Sequence, residues 1–423
     1  MRQEEQYYFY RSLQIMKILH TADWHIGKKL HKHELSEDFE LFMNWLCECI
    51  GELKVDVLLV SGDIFDLANP SSEARRQYYR SLKRLRQLNC RIILTGGNHD
   101  SPAMLDAPRE LLQELEMEVI GGLPENLEDC IIPIFGRSGK PELVIAALPF
   151  LRDPDLRTAA EGNNYEDRLQ AVQQGIQQIF AGAAEICKTK YPDAPALAMG
   201  HLFAAGMETS ESEREIQLGN QAAFQASQFG DFFKYIALGH IHKPQRVNAA
   251  VPAFYSGSPI PLSFSERRDE KRVLLLDTEK GWLPESLPVP VFRKLKQISG
   301  SLSELQEKLE LLEESFQLES LLEVELKEEN YDAEKIYQLD SLVSNFEKSG
   351  FRIVKHRATF QNKITGAGEL YDDNRKLQDL SPREIFSELV SQHEYDDETR
   401  KELMGAFEEV LEKVQQLENP LLS

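Results

Sequence analysis

The sequence lacks an apolar run long enough to cross a membrane. Its longest nearly apolar stretch, residues 143–151, has about half the length that a spanning helix needs. Acidic and tyrosine side chains occupy residues 1–15, where a secretory signal peptide would need an apolar segment. We interpret residues 1–15 as an N-terminal extension, with Met16 as an alternative start. Membrane insertion and secretion are therefore not expected.

Cysteine is scarce, with five residues in a chain of 423 and no CxxC pair. An odd number of scattered thiols argues against a disulfide framework, and the lack of CxxC pairs argues against a zinc site built on thiolates. The cysteine content therefore favours a reducing compartment, and we expect a cytoplasmic protein.

Basic residues are also under-represented, with 48 against 70 acidic residues and a formal net charge of −22. Long-range repulsion from phosphate disfavours a general nucleic-acid binder of this charge. The imbalance is uneven, because residues 277–423 contain 32 acidic and 18 basic side chains. Any nucleic-acid surface is therefore expected in the first part of the chain or on a partner.

Strands and helices alternate through the first part of the sequence. The continuous apolar run of residues 55–61 predicts a buried strand, and the apolar spacing of residues 36–52 predicts an amphipathic helix. Polar residues follow each predicted strand at its carboxyl end, where α/β sheets place their functional sites. Another strand is predicted to begin at Met16, and further strands are predicted at 91–95, 143–150, 196–201, 235–242, 252–255 and 272–277. The other predicted helices cover residues 71–88 and 165–191.

The pattern changes near residue 288. A compact βαβαβ unit is predicted there, with strands at 289–298, 321–327 and 351–360 and helices at 301–314 and 333–348. A polar linker and two amphipathic helices follow. The predicted organisation is an α/β domain at 16–280, a small α/β cap at 288–362, a linker at 363–380 and C-terminal helices at 381–418.

Five short motifs stand at or just after predicted strand ends: DWH, GDIFD, GNHD, GH and GHIH. They supply carboxylate and amide oxygens and imidazole nitrogens, which are ligands for hard or borderline divalent cations. Any one of these residues could be an ordinary loop or core side chain, but the whole set recurs in register with the strand pattern. The candidates are too many for one ion and fit two ions that share a carboxylate. They are Asp23, His25, Asp63, Asn98, His201, His240 and His242.

These motifs, in this order, resemble the signature of calcineurin-like metallophosphoesterases. Their flanks, ILHTADWHIGK, LLVSGDIFDLANPS, GGNHDS and YSGSPIPLSFSE, are similar to the SbcD family of bacterial nuclease subunits. The resemblance extends over residues 16–418. It implies a calcineurin-like β-sandwich flanked by helices, a small α/β cap domain and a C-terminal helical segment.

The resemblance also implies roles for the motif residues. His99 is expected to protonate the leaving oxygen or to stabilise charge on the phosphorane. Asp100 is expected to orient His99 through a hydrogen bond, with capping of the next helix as the alternative. One metal would be held by Asp23, His25, Asp63 and His242, and the other by Asp63, Asn98, His201 and His240.

Three features leave their roles open. Asp66 stands where archaeal and eukaryotic relatives have a histidine that contacts the scissile phosphate, and its own role is undetermined. The loop of Ser256, Gly257 and Ser258, with Ser263 beyond it, either binds DNA phosphates or forms an ordinary turn. Six basic residues form either a basic rim around the site or an ordinary solvent-exposed surface. They are Lys28, Lys29, Lys32, Arg75, Arg76 and Arg80.

The resemblance implies a manganese-dependent DNA nuclease subunit, with magnesium as the other candidate metal. It would act as a double-strand exonuclease, in the 3′ to 5′ direction, and as an endonuclease on single strands and hairpins in DNA repair and recombination. The resemblance also implies an SbcC-type ATPase as partner. That partner would hydrolyse the ATP, since this chain has no GxxxxGK[ST] motif. The C-terminal helices would dock on the coiled coil of that partner in a heterotetramer built on a homodimer, or fold back on their own chain.

Two other functions are consistent with parts of the sequence. A calcineurin-like phosphodiesterase for a nucleotide or small phosphoester would explain the metal motifs but not the cap and tail. A non-catalytic scaffold between DNA and an ATPase would not need the complete set of ligands and His99.

Overall fold

The computed structural model of the protein describes residues 15–136, 139–156, 165–213, 224–313 and 316–362, together with 386, 390, 399–407 and 410. Most of the predicted N-terminal extension, the linker and most of the C-terminal helices lie outside the described residues. The described residues form two compact units. The larger contains the residues up to Ile298 with 307–324 and 345–356, and the smaller contains 299–306, 325–344 and those from Arg357 onward. The predicted domain boundaries stay predictions.

The first of two six-stranded sheets contains the N-terminal strand. Its strands are β1 (Lys17–Thr21), β4 (Val57–Ser61), β5 (Arg91–Thr95), β6 (Met117–Ile120), β13 (Arg272–Asp277) and β14 (Glu285–Pro288). They are ordered β14-β13-β1-β4-β5-β6. The four strands from β1 to β6 are parallel, so their carboxyl ends lie at one edge of the sheet.

The second six-stranded sheet is mostly parallel as well. Its strands are β7 (Ile131–Phe135), β8 (Pro141–Ala147), β9 (Ala196–His201), β10 (Tyr235–Gly239), β11 (Gln245–Val247) and β12 (Ala253–Tyr255), in the order β11-β12-β10-β9-β8-β7. Strands β8, β9, β10 and β12 run parallel. The Ser61 hydroxyl donates to the Ala237 carbonyl at 3.0 Å and so joins the two sheets.

Alternate residues of the central strands enter two different cores. Ile18 and Leu59 join the buried residues of the second sheet in one core. Leu19 and Leu58 point the other way, into a core shared with helical residues such as Phe42. The strands are buried on both faces, which explains their continuous apolar runs. The predicted α/β sandwich with flanking helices is confirmed.

The three predicted helices of the larger unit begin within one residue of the predicted positions, at Ser36, Ser72 and Tyr165, whereas its shorter helices were not predicted. The hydroxyl of Ser71 caps the second long helix by accepting a hydrogen bond from the Ala74 amide at 3.1 Å. A hairpin of β2 (Lys29–Leu30) and β3 (His33–Glu34) lies between the first strand and first helix. The helices are α1 (Ser36–Leu53), α2 (Ser72–Arg86), α3 (Pro102–Asp106), α4 (Arg109–Gln113), α5 (Asp153–Leu156) and α6 (Tyr165–Lys190).

The region after β14 alternates strand and helix as predicted. It contains β15 (Leu295–Gly300), α7 (Leu302–Glu310), β16 (Ser320–Glu328), α8 (Ala333–Ser344) and β17 (Phe351–Phe360). The strands form one sheet in the order β15-β16-β17. The first of them begins at Leu295 and not at Val289 as predicted, and Pro290 lacks the amide hydrogen that a ladder requires. Farther on, the rings of Phe386 and Phe407 stack with centroids 4.1 Å apart.

Among the described residues no helix is both long and apolar enough to span a membrane. All five cysteines are free thiols.

A buried ion pair connects α1 to the segment before β15. Arg293 Nε donates to Asp38 Oδ1 at 2.6 Å, and both side chains are almost fully buried. The same guanidinium contacts His33 Nε2 and the Glu319 carbonyl, each at 3.0 Å. Because a buried charge is tolerated only with its partner, this pair constrains how the segment is held.

We expect Arg293→Met to lower the free energy of unfolding by about 3–5 kcal/mol, because it leaves the carboxylate of Asp38 buried without a counter-charge. The exposed pair of Lys29 and Glu34, at 2.9 Å, provides the control. Lys29→Met should cost about 0–1 kcal/mol, since an exposed pair contributes little. Chemical denaturation of both variants measures the difference, and equal effects would contradict the assignment.

Candidate metal centre

The five predicted motifs meet where the carboxyl ends of parallel strands from both sheets converge. DWH follows β1, GDIFD follows β4 and GNHD follows β5, while His201 ends β9 and GHIH spans the end of β10. The structure therefore brings together all seven predicted ligand residues. Except for the half-buried Asn98, each of these side chains is almost completely buried.

Several of these residues adopt a backbone conformation that is unusual for anything but glycine. Asp23, His25, Asp63 and His240 have φ values of 54°, 46°, 49° and 100°. Backbone hydrogen bonds between the loops hold them there, including Asp23 N–H to the Gly62 carbonyl at 3.1 Å. Such conformations cost about 1–3 kcal/mol each and persist only where the surroundings enforce them. Four of the seven predicted ligand residues therefore have strained backbones.

The first cluster consists of Asp23, His25, Asp63 and His242, whose ligand atoms lie within 4.8 Å of one another. The Nε2 atoms of His25 and His242 are 3.1 Å apart. Two nitrogens bound to one cation at about 2.1 Å and at right angles would be separated by roughly 3.0 Å, so the spacing fits a shared ion. The Asp23 Oδ2 atom is buried without a hydrogen-bond partner, as expected of a ligand oxygen.

The second cluster consists of Asp63, His201 and His240, with Asn98 beside them. The Oδ1 atom of Asn98 lies 2.9 Å from His201 Nε2 and 3.1 Å from His240 Nδ1. Asp63 belongs to both clusters, because its Oδ2 atom is 3.4 Å from His201 Nε2 and 3.5 Å from His25 Nε2. This position is the one required of a bridging carboxylate, and the donor set fits two divalent cations.

The electrostatics of the cluster also fit cations. Burial alone raises the pKa of Asp63, but the neighbouring His201 and His25 outweigh it and hold that pKa well below its ordinary value. Burial lowers the pKa of His201, and the attraction of Asp63 reverses this and raises it to about 9. Burial raises the pKa of Asp23 to about 7. The buried carboxylates thus need positive neighbours to stay ionised, and divalent cations would supply that charge.

Contacts outside the clusters orient the ligands. His201 Nδ1 lies 3.0 Å from the Ser61 carbonyl, which leaves Nε2 to face the centre. The His240 amide donates to Asp23 Oδ1 at 2.8 Å. Gly239 permits the close approach of the two sheets at this point, because a Cβ atom there would stand 1.7 Å from the Ser61 carbonyl oxygen.

The predicted catalytic residues lie beside the first cluster. The ring of His99 is 4.7 Å from that of His25, and its Nδ1 atom is 2.7 Å from the Asp66 carbonyl. The carboxylate of Asp100 accepts hydrogen bonds from the amides of Gly97, Ile64 and Phe65, at 2.8, 3.0 and 2.9 Å. It therefore joins the GDIFD and GNHD loops. The cap residue of the following helix is Ser101, so the capping alternative for Asp100 is wrong.

Asp66, whose role the sequence left open, contacts positive and titratable neighbours. Its Oδ1 atom accepts from Lys28 Nζ at 3.0 Å and lies 3.4 Å from His25 Nδ1. Burial alone raises the pKa of Asp66, but His25 and Lys28 outweigh this and hold it well below its ordinary value. Lys28 therefore faces the site, whereas Lys29 and Arg76 of the predicted rim pair with exposed glutamates.

The expectation that Ser256, Gly257 and Ser258 bind DNA phosphates is not supported. Both serine side chains are completely buried, and their hydroxyls donate to the carbonyls of Gly257 and Ile260. The loop packs behind His242, whose carbonyl accepts from the Ser258 amide at 3.1 Å. It is part of the interior wall of the site.

Sequence reasoning did not identify two polar residues at this wall. Ser212 Oγ lies 2.6 Å from His242 Nδ1, and Glu266 Oε1 lies 3.4 Å from the same nitrogen. The only sequence signal was a glutamate at the end of the apolar and hydroxyl-rich run SGSPIPLSFSE.

Comparison with known proteins agrees with this geometry. The family model described as calcineurin-like phosphoesterase matches residues 16–244, and one described as type 5 capsule protein repressor C-terminal domain matches residues 291–394. The chain is 31% identical over 403 residues to the SbcD subunit of nuclease SbcCD from Escherichia coli K12, covering 93% of this chain and 97% of the relative. It is 38% identical over 286 residues to the protein of that name from Rhodobacter capsulatus, covering 65% and 69%.

The counterpart from Bacillus subtilis is 32% identical over 271 residues, covering 63% of this chain and 67% of the relative. The chain therefore belongs to the calcineurin-like phosphoesterases and, within that class, to the SbcD family of nuclease subunits.

We expect Asp63→Asn to reduce binding of divalent cations from two ions per chain to one or none. The amide can still accept the hydrogen bond from the His99 amide at 2.9 Å, but it lacks the charge that bridges two cations. Equilibrium dialysis with elemental analysis measures the stoichiometry. Asp231→Asn, at an exposed position, is the matched control, and two ions retained by Asp63→Asn would contradict the bridging role.

Proposed function

We propose that the protein is the nuclease subunit of an SbcCD-type complex, which hydrolyses DNA phosphodiesters with two divalent cations, manganese above all. The observation that carries this proposal is the pair of clusters joined by Asp63, in a chain that belongs to this family. It would act as a double-strand exonuclease, 3′ to 5′, and as an endonuclease on single strands and hairpins. Its ligands would be Asp23, His25, Asp63, Asn98, His201, His240 and His242.

When bound, the two cations would polarise the phosphate and activate a water molecule. The chain supplies the positions of the reacting groups. His99 would protonate the leaving oxygen. Its contact with the Asp66 carbonyl determines which ring nitrogen would donate the proton. Because a carbonyl can only accept, Nδ1 of His99 carries a proton, so Nε2 can donate only when the ring is an imidazolium.

Asp100 acts on this geometry through the backbone. By accepting from amides of both loops, it keeps His99 and Asp63 at a fixed separation. Asp66 and Lys28 lie beside the first cluster, and the ammonium group of Lys28, which pairs with Asp66 at 3.0 Å, would add positive charge that attracts a phosphate.

We further propose that DNA binding depends on an SbcC-type ATPase. The net charge of −22 does not favour capture of long DNA by this chain alone, so the partner would supply much of the positive surface. The C-terminal helices would dock on the base of the partner's coiled coil, in a cytoplasmic heterotetramer built on a homodimer. Val410, which is 58% exposed on the apolar stripe of the last helix, supports this docking face.

We expect His99→Ala to lower Mn²⁺-dependent cleavage of an end-labelled hairpin duplex by 10²-fold or more, on the order expected for loss of a general acid, while two cations remain bound. His356→Ala, at an exposed position of β17, should cleave like the wild type. Cleavage is measured with and without the ATPase and ATP. Hydrolysis of bis(p-nitrophenyl) phosphate without any cleavage of DNA would instead identify a phosphodiesterase for small substrates.

We expect Val410→Glu to weaken co-purification with the SbcC-type ATPase at least tenfold, because it places a charge on the proposed apolar docking face. Gly405→Glu is the matched control, since it adds the same charge at an exposed position with open space around it. Hydrolysis of the small phosphodiester should not change in either variant. Unchanged co-purification of Val410→Glu would favour helices that fold back on their own chain.

A further inference from the structure

A group of hydroxyls and charges lies behind His242, on the side away from the proposed cations. Glu266 stands at its centre, completely buried. Its Oε2 atom accepts from Lys271 Nζ at 2.6 Å and from the Leu262 amide at 3.2 Å, and it lies 3.1 Å from Ser258 Oγ. Its Oε1 atom faces Ser212 and His242. A carboxylate with this many donors is fully satisfied in its ionised form.

The charge state of Glu266 follows from these neighbours. The Lys271 ammonium lies 2.6 Å from Glu266 Oε2, so the ionised carboxylate has its counter-charge within hydrogen-bond distance. Lys271 is itself only 6% exposed, and its ammonium also donates to the His242 carbonyl at 3.0 Å. The ion pair is therefore attached to the backbone of the ligand residue as well as to its side chain.

The direction of the hydrogen bonds follows from this chemistry. An ionised carboxylate can only accept, and Ser212 has the hydroxyl closest to Glu266 Oε1. We therefore assign the Ser212 proton to Oε1 and not to Ser210 Oγ, which lies 2.8 Å from Ser212 Oγ. With this assignment the Ser212 oxygen accepts from His242 Nδ1, 2.6 Å away. Nδ1 then carries the ring proton, and the lone pair of Nε2 faces His25 at 3.1 Å, where the first cation would lie.

We propose that Glu266 is a positioning residue of the metal centre, which acts through Ser212 to keep the proton of His242 on Nδ1 and its Nε2 free for a cation. This inference rests on the metal centre of the proposed function. It also accounts for the burial of the polar side chains in the run from Ser256 to Glu266, which phosphate binding would not explain. Gly257 is needed because a Cβ atom there would stand 2.6 Å from the His242 carbonyl oxygen.

The test measures the tautomer of His242 and the affinity for Mn²⁺ in separate experiments. Proteins labelled with ¹⁵N in histidine are examined by NMR without metal, in mildly alkaline buffer, and the His242 signals are assigned with His242→Gln. We expect the wild type to carry the proton on Nδ1, and Ser212→Ala and Glu266→Gln to lose this preference. Titration with Mn²⁺ should show affinity of the first site weakened by about 10–100-fold, as for loss of other groups that orient a metal ligand.

A control separates this role from general stabilisation. Arg293→Met disrupts the other buried ion pair, with Asp38, and should lower the melting temperature without changing the His242 tautomer or the Mn²⁺ affinity. If Glu266→Gln does not fold because Lys271 is left unpaired, Ser212→Ala decides, since it keeps the ion pair intact.

The inference is overturned if wild-type His242 carries its proton on Nε2, or if both variants keep the wild-type tautomer and affinity and lose only stability. A wild type that binds no divalent cation would refute the proposed function instead. The tautomer measurement would still report whether Glu266 controls His242.

Discussion

The structure depends on confining two carboxylates and four imidazoles in one space from which water is almost excluded. Asp23 and Asp63 repel each other at low dielectric, and neither would stay ionised alone. The strained loops, the convergence of two sheets and the network behind His242 all serve to hold these groups in place. Backbone strain and the loss of hydration both destabilise this cluster of carboxylates and imidazoles. The cluster therefore depends on the surrounding loops and sheets, and on the cations that its donor set fits, for its stability.

The two sides of the centre are supported in different ways. On the side of the first sheet, the carboxylate of Asp100 accepts from backbone amides, and the His99 amide donates to Asp63. On the side of the second sheet, His242 is supported by the buried ion pair of Glu266 and Lys271. The charge of Asp100 is therefore stabilised by amide dipoles, whereas that of Glu266 is stabilised by an opposite charge.

The sequence predicted the residues that cluster at the candidate metal centre better than it predicted the residues that support them. Asp63 and His240 could be assigned because strand ends and motif order are visible in the chain. Ser258 could not be interpreted correctly, because a hydroxyl in a glycine-containing loop suits phosphate binding and interior packing equally until its burial is known. Strands β6, β7, β11 and β14 of the two large sheets were not predicted. Three of them, β6, β11 and β14, have only three or four residues, too few to show a periodic pattern. The contact of Ser212 with His242 spans 30 positions, and no local pattern reports such a contact.

The pairing of His25 with His242 has a consequence for how the protein is made. These two ligands are 217 positions apart in sequence, and Lys271, which secures the second, comes later still. A ribosome therefore releases the whole second sheet before the centre can assemble. The growing polypeptide therefore has no complete site until Lys271 has left the ribosome, although the region after β14 is still to be made at that point.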